Sequence, residues 1–147
     1  MDGIYHLDGV KNVILVASAK GGVGKSTTAI NIATALNQLN HNIGILDADI
    51  YGPSIPKMLG IKEKPKVSED KRFIPIEKFN MKCMSIGFLV DQKTPVIWRG
   101  PMIIKALKQM LNGVVWNGVD ICKDLDIVHV VTLTSLIYII LETISLL

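Results

Sequence analysis

A three-layer α/β fold, built on a doubly wound and mainly parallel sheet, is what the sequence predicts. Three observations predict it. Val13 to Ser18 is an unbroken run of mostly apolar, β-favouring residues that empties into a glycine-rich turn. Ala29, Ile32, Ala33, Leu36 and Leu39 then recur at helical spacing, with Asn31, Thr34, Asn37 and Gln38 falling elsewhere. A second short apolar run, Asn42 to Leu46, closes a βαβ unit whose crossover is expected to be right-handed.

The first run carries no polar alternation, so it reads as a strand buried on both faces of a parallel sheet. The helix after it begins near Lys25 and ends near Asn40, where Asn-His-Asn breaks the pattern. Pro53 to Leu59 predicts a short helix, because proline is tolerated in a first turn and Gly60 stands just past the end. Ile61 to Arg72 is charged and contains Pro65, which makes it an exposed loop with Lys62, Lys64, Lys66, Lys71 and Arg72 solvated. Phe73 to Ile76 reads as an edge segment, and Lys82 to Val90 as a buried strand. Ile103, Leu107, Met110, Leu111 and Val114 predict a further helix after Pro95 to Pro101. Arg99 at its start could pair with an anion or a carboxylate across an interface, or stay solvated.

The chemistry concentrates at the first turn, Lys20-Gly-Gly-Val-Gly-Lys-Ser-Thr27. Gly21, Gly22 and Gly24 let the backbone take positive φ and turn successive N–H groups toward one anion, with Val23 between them. A helix opening at Lys25 adds about four unpaired N–H groups and roughly half a positive charge at the same place. Lys25 would reach the β- and γ-phosphates of a nucleotide, the Ser26 hydroxyl would bind Mg²⁺, and Thr27 lies within the same first turn. The pattern G-x-x-x-x-G-K-S/T is incomplete, since Ala19 holds the first glycine position, but Lys20 adds a second lysine. The competing reading is an ordinary glycine-rich βα turn with two solvated lysines.

The second strand delivers Asp47 and Asp49 to the same sheet edge as that turn. Carboxylates at i and i+2 of an extended segment point the same way. In a magnesium nucleotide site one can orient a metal-bound water and the other the attacking water. A plain turn rich in Asp, Gly and Pro would have the same composition.

At 147 residues the chain is one domain's worth, enough to bury a substantial core. Its 16 basic and 13 acidic residues leave a net charge of +3, too mild to argue for nucleic acid. Cys83 and Cys122 form no C-x-x-C pair, so they read as buried apolar thiols rather than ligands or a disulfide. The first eight residues lack the pattern of a secretory signal, which makes the expected location cytoplasmic.

The complete Lys-Gly-Gly-x-Gly-Lys-Ser/Thr turn resembles the deviant P-loop of the ParA, MinD and Mrp class of ATPases. Leu46-Asp-Ala-Asp-Ile-Tyr-Gly-Pro-Ser-Ile-Pro56, Ser85-Ile-Gly-Phe88 and Ile97-Trp-Arg-Gly-Pro-Met102 narrow the resemblance to Mrp-type iron–sulfur cluster carriers, over about residues 11 to 118. The resemblance implies ATP hydrolysis coupled to the conformation of a homodimer, and carriage of a four-iron four-sulfur (4Fe-4S) cluster to apo iron–sulfur proteins. It makes Lys20 the signature lysine that contacts nucleotide in the partner subunit. Gly21, Gly22, Val23, Gly24, Lys25, Ser26 and Thr27 become the nucleotide cradle, Ser26 and Asp47 the Mg²⁺ side, and Asp49 the residue that positions the hydrolytic water. Neither nucleic acid nor membrane is expected as a partner.

The resemblance stops near Asp120. It implies a strand ending in aspartate and then a Pro-Pro-Gly-Thr-Gly-Asp switch, where this chain reads Ile121-Cys-Lys-Asp-Leu-Asp-Ile-Val-His-Val-Val131. The Cys-x-x-Cys that holds the cluster in the family is absent as well. The expected organisation is therefore an N-terminal part of a P-loop ATPase domain over 1–120 and a divergent apolar tail over 121–147. That tail is expected to be the end of a truncated or frameshifted gene, a strand and helix closing a smaller sheet, or a membrane anchor. Two other functions stay open: a nucleotide-binding module or remnant without turnover, and a ParA- or MinD-type positioning ATPase.

Overall fold

The computed structural model describes residues 12–89, 100–116 and 127–134. The first apolar run forms strand β1, Asn12–Ser18, and the glycine turn leads into helix α1, Lys25–Gln38. Strand β2, Asn42–Asp47, follows, then a four-residue helix α2, Ile55–Met58. Short strands β3 (Lys66–Val67), β4 (Phe73–Ile74) and β5 (Ile76–Lys78) precede β6, Met81–Ser85, and a 3₁₀ turn over Ile86–Phe88. Helix α3 is Gly100–Asn112, and strand β7 is Ile127–Thr134.

Five strands form one sheet in the order β1-β7-β2-β6-β5. The first four run parallel, and β5 is antiparallel to β6 at the edge. Residues 127–134 thus lie between the two strands of the βαβ unit, with Ile14 opposite Val130 and Val130 opposite Ile45. Helix α1 packs across β1, β7 and β2. Ala29 and Ala33, both fully buried, let its backbone approach the sheet closely. Ile45, Leu46, Met84 and Ile86 fill the centre, each stabilising the fold by about 2 kcal/mol through apolar burial. Ile103, Leu107 and Met110 of α3 join the same core. The end of α3 is tied to β4 by Phe73 N–H to Gly113 O and Val115 N–H to Phe73 O, each 2.8 Å.

Several expectations shift. Among the described residues β1 stands at the sheet edge beside β7, and it is not buried on both faces: Val13 is 51% exposed and Leu15 39%, on alternate residues and so on one face of the strand. Leu39 is exposed, since α1 ends one residue earlier and Asn40 turns the chain at φ 65°. Pro75, with no N–H to give a ladder, divides Phe73 to Ile76 between two strands. The strand expected to reach Val90 stops at Ser85, whose Oγ accepts the Gly87 N–H at 3.0 Å and bends the chain into the 3₁₀ turn. Lys62, Lys64, Lys66 and Lys71 are exposed as expected, but Arg72 is half-buried, Ile61 joins the core and Lys66–Val67 pair as β3 with β4 rather than forming loop. Arg99, Cys122, the 117–126 segment and the rest of the tail lie outside the described residues. Among the described residues no helix is long and apolar enough to cross a membrane.

Candidate nucleotide-binding site

The carboxyl ends of β1 and β2 put the glycine turn and the paired aspartates side by side. Gly22 (φ 76°) and Gly24 (φ 86°) take the left-handed backbone that residues with a Cβ adopt only under strain. Gly24 is also the N-cap of α1; no side chain caps that helix and no acidic residue sits in its first turn. The amides of Lys25, Ser26 and Thr27 therefore belong to a helix start that suits an anion. The Ser18 hydroxyl donates to Lys20 O at 3.0 Å and steadies the start of the loop. Gly21, Val23 and Lys20 are exposed on its rim, as is Thr27.

Lys25 and Ser26 turn toward the second strand instead. Lys25 Nζ donates to Asp49 Oδ2 at 2.8 Å, an ion pair with both side chains more than nine-tenths buried. Ser26 Oγ accepts a 2.7 Å hydrogen bond from the Ser54 hydroxyl. Asp47, fully buried, holds the intervening loop: its Oδ1 accepts the Asp49 N–H at 3.2 Å, and its Oδ2 accepts the Ile55 N–H at 3.1 Å and the Ser85 hydroxyl at 3.2 Å. The carboxylate thus gathers donors from two strand ends and the start of α2, stronger bonds than neutral acceptors would make. Gly87 lets this loop sit close, since a Cβ there would lie 3.0 Å from Pro53 Cβ.

Of the residues singled out in the sequence, the structure joins Lys25 with Asp49 directly, and links Ser26 to Asp47 through Ser54 and Ile55. Lys20 contributes its backbone carbonyl to the Ser18 hydrogen bond, its side chain standing on the exposed rim. Ser54 and Ser85 escaped sequence reasoning as individual residues. Both lie in motifs that stood out, Tyr51-Gly-Pro-Ser54 and Ser85-Ile-Gly-Phe88, but a serine's partner across the sheet is not encoded in local spacing.

Cys83 lies in β6 and is buried; burial pushes its thiol up to about 12 from 9.0. Among the described residues, no three His, Cys, Asp or Glu side chains gather as a metal-binding group.

A family model described as the NUBPL iron-transfer P-loop NTPases of the ParA group matches residues 9–124. The "iron-sulfur protein required for NADH dehydrogenase, mitochondrial" of Arabidopsis thaliana is 54% identical over 117 residues, which make up 79% of this chain and 37% of that protein. An "iron-sulfur cluster carrier protein" of Aquifex aeolicus is 52% identical over 114 residues, covering 76% of this chain and 31% of its own. Among solved structures, a nucleotide-binding protein in complex with ADP from Archaeoglobus fulgidus superposes with a TM-score of 0.66 at 34% identity, over 84% of this chain and 45% of the other. The chain spans roughly a third of the length of the curated relatives it matches.

Proposed function

Because the chain belongs to the NUBPL-type iron-transfer P-loop NTPases of the ParA group, we propose that it binds and hydrolyses ATP with Mg²⁺ as a homodimer, in the service of iron–sulfur cluster delivery to apoproteins. The observation that carries this reading is the left-handed Gly22 and Gly24 turn opening α1, with Lys25 paired to Asp49 at 2.8 Å. The amides from Gly21 to Thr27 would take the phosphate oxygens. Lys25 would exchange the Asp49 carboxylate for the β- and γ-phosphates, and Asp49 would then orient the water that attacks the γ-phosphorus as the bond to ADP breaks. Lys20, exposed on the rim, would reach the nucleotide of the second copy. Little covalent chemistry falls to the protein, so positioning and charge would supply the rate.

The donor set fits Mg²⁺, since Ser26, Asp47 and Asp49 offer only hard oxygen atoms. Ser26 would be the direct ligand and Asp47 would act on the water shell. When bound, the ion would neutralise charge developing on the phosphoryl group. The iron–sulfur cluster is cargo in this proposal, and Cys83 does not fit it: a buried strand thiol held up to about 12 is a poor thiolate ligand. A cytoplasmic location is part of this reading, in line with the two cysteines of the sequence, which form no C-x-x-C pair.

One observation favours a second reading, binding without turnover: residues 121–131 depart from the switch that the resemblance implies. Phosphate release measured beside ATP binding separates the two. For the site itself the test is Lys25→Ala. Saturating ATP at 100 times its Kd stabilises a protein by about 2.7 kcal/mol, and this ATP-dependent shift in Tm is expected to vanish in the variant. A shift equal to that of the parent would overturn the assignment, whatever the variant's own Tm.

A further inference from the structure

Ser54 occupies the N-cap position of α2, where a serine side chain ordinarily accepts a hydrogen bond from the second or third amide of its helix. Here it makes no such bond. Pro56 removes one of those amides, and the Ile55 N–H is given to Asp47 Oδ2 at 3.1 Å, so the helix start is capped from the sheet. The Ser54 hydroxyl is turned instead across the site, donating to Ser26 Oγ at 2.7 Å. Its backbone is fixed from both sides: Ser54 O accepts the Met58 N–H at 3.0 Å, and Pro53 rests against Gly87.

We propose that Ser54 is a positioning residue for the Ser26 hydroxyl, fixing the oxygen that meets the metal of a bound nucleotide. The inference rests on the reading of the turn as a magnesium-nucleotide site. A serine hydroxyl has one proton and two lone pairs, and an unrestrained side chain samples three rotamers. The Ser54 proton occupies one lone pair and selects one orientation, leaving the second lone pair for a cation and the Ser26 proton for another acceptor. Because Ser54 is carried by the loop that Asp47 anchors, the arrangement also links the glycine turn to the 47–55 segment. The order of the two carboxylates and of the metal-binding hydroxyl is then set by one loop.

The test is a Mg²⁺ titration of the ADP-dependent rise in Tm in the full chain, with a parallel measurement in EDTA. Ser54→Ala is expected to raise the Mg²⁺ midpoint about tenfold, the worth of one hydrogen bond, with the EDTA value unchanged. Ser54→Thr, which keeps the donor, is expected to restore the parent midpoint; Ser54→Cys, similar in size and a weak donor, is expected to behave like alanine should Ser54→Ala fail to fold. Ser26→Ala with Ser54→Ala is expected to be no worse than Ser26→Ala alone. A Ser54→Ala midpoint within twofold of the parent, additive effects in the double variant, or an equal loss in EDTA would each overturn the role. If the parent chain shows no ADP-dependent stabilisation at any Mg²⁺ level, the nucleotide site itself fails and this inference with it. Parent binding with an unmoved Ser54→Ala midpoint removes the inference alone.

Discussion

Replacing Asp47 by asparagine tests whether one carboxylate holds the site loop together. The side chain is fully buried, and its donors include the Asp49 and Ile55 amides at 3.2 and 3.1 Å, one on each oxygen, and the Ser85 hydroxyl at 3.2 Å. Asp47→Asn keeps the shape but turns one oxygen into a donor. The Ser85 hydroxyl can rotate to accept from it, but a backbone amide cannot, so whichever way the amide flips one buried N–H faces another donor. An orphaned buried amide costs about 1–3 kcal/mol, and loss of charge weakens the bonds that survive. We expect about 3 kcal/mol in total, which for a chain of this size lowers Tm by roughly 10 °C. Urea unfolding followed by fluorescence, with Trp116 buried at 3% exposure as a reporter, reads both the midpoint and the slope. A variant within about 0.5 kcal/mol of the parent, at unchanged slope, would refute the anchoring argument.

Cys83 should resist thiol reagents at pH 8 in the folded protein and react once it is unfolded, scored in a Cys122→Ser background. Its thiol stands near 12 when folded against 9.0 when exposed, so the folded state keeps a proton the unfolded state releases, and stability should fall as pH rises from about 9 toward 12. The slope from this group is at most about 1.4 kcal/mol per pH unit, and a flat profile, or rapid native labelling, would contradict its burial. Gly87→Ala places a Cβ 3.0 Å from Pro53 Cβ and 3.2 Å from Ser85 Oγ. The loop must give by a few tenths of an ångström, at about 1–2 kcal/mol by chemical denaturation, and stability equal to the parent would show that Pro53 does not rest there.

Much of the site was legible early because its signals are local. The Lys20 to Thr27 turn declares itself through glycines whose left-handed backbone is demanded by geometry, and two of the three, Gly22 and Gly24, take it. The βαβ order was legible from periodicity, and the short helix from its first-turn proline and from Gly60, which turns at φ 65°. Boundaries failed where a single side-chain bond decided them, as at Ser85, or where an imino acid broke a ladder, as at Pro75. The exposure of β1 was illegible, because an apolar run reports what a strand would prefer to bury and not which neighbours arrive to cover it.

By itself, then, the sequence determined the glycine turn with its left-handed backbone, the parallel βαβ frame and the delivery of two aspartates to one edge, since each depends on chain geometry over a few residues. Only the tertiary structure decided the division of labour between those aspartates. Asp49 takes the lysine while Asp47 gathers amides and a hydroxyl, and the Ser54 hydroxyl meets that of Ser26 because the loop after β2 carries Ser54 over the start of α1. The Lys25–Asp49, Ser26–Ser54 and Asp47–Ser85 pairings join residues 24 to 38 positions apart. They arise from which buried donors must find acceptors once the sheet has formed, a condition that no local pattern expresses.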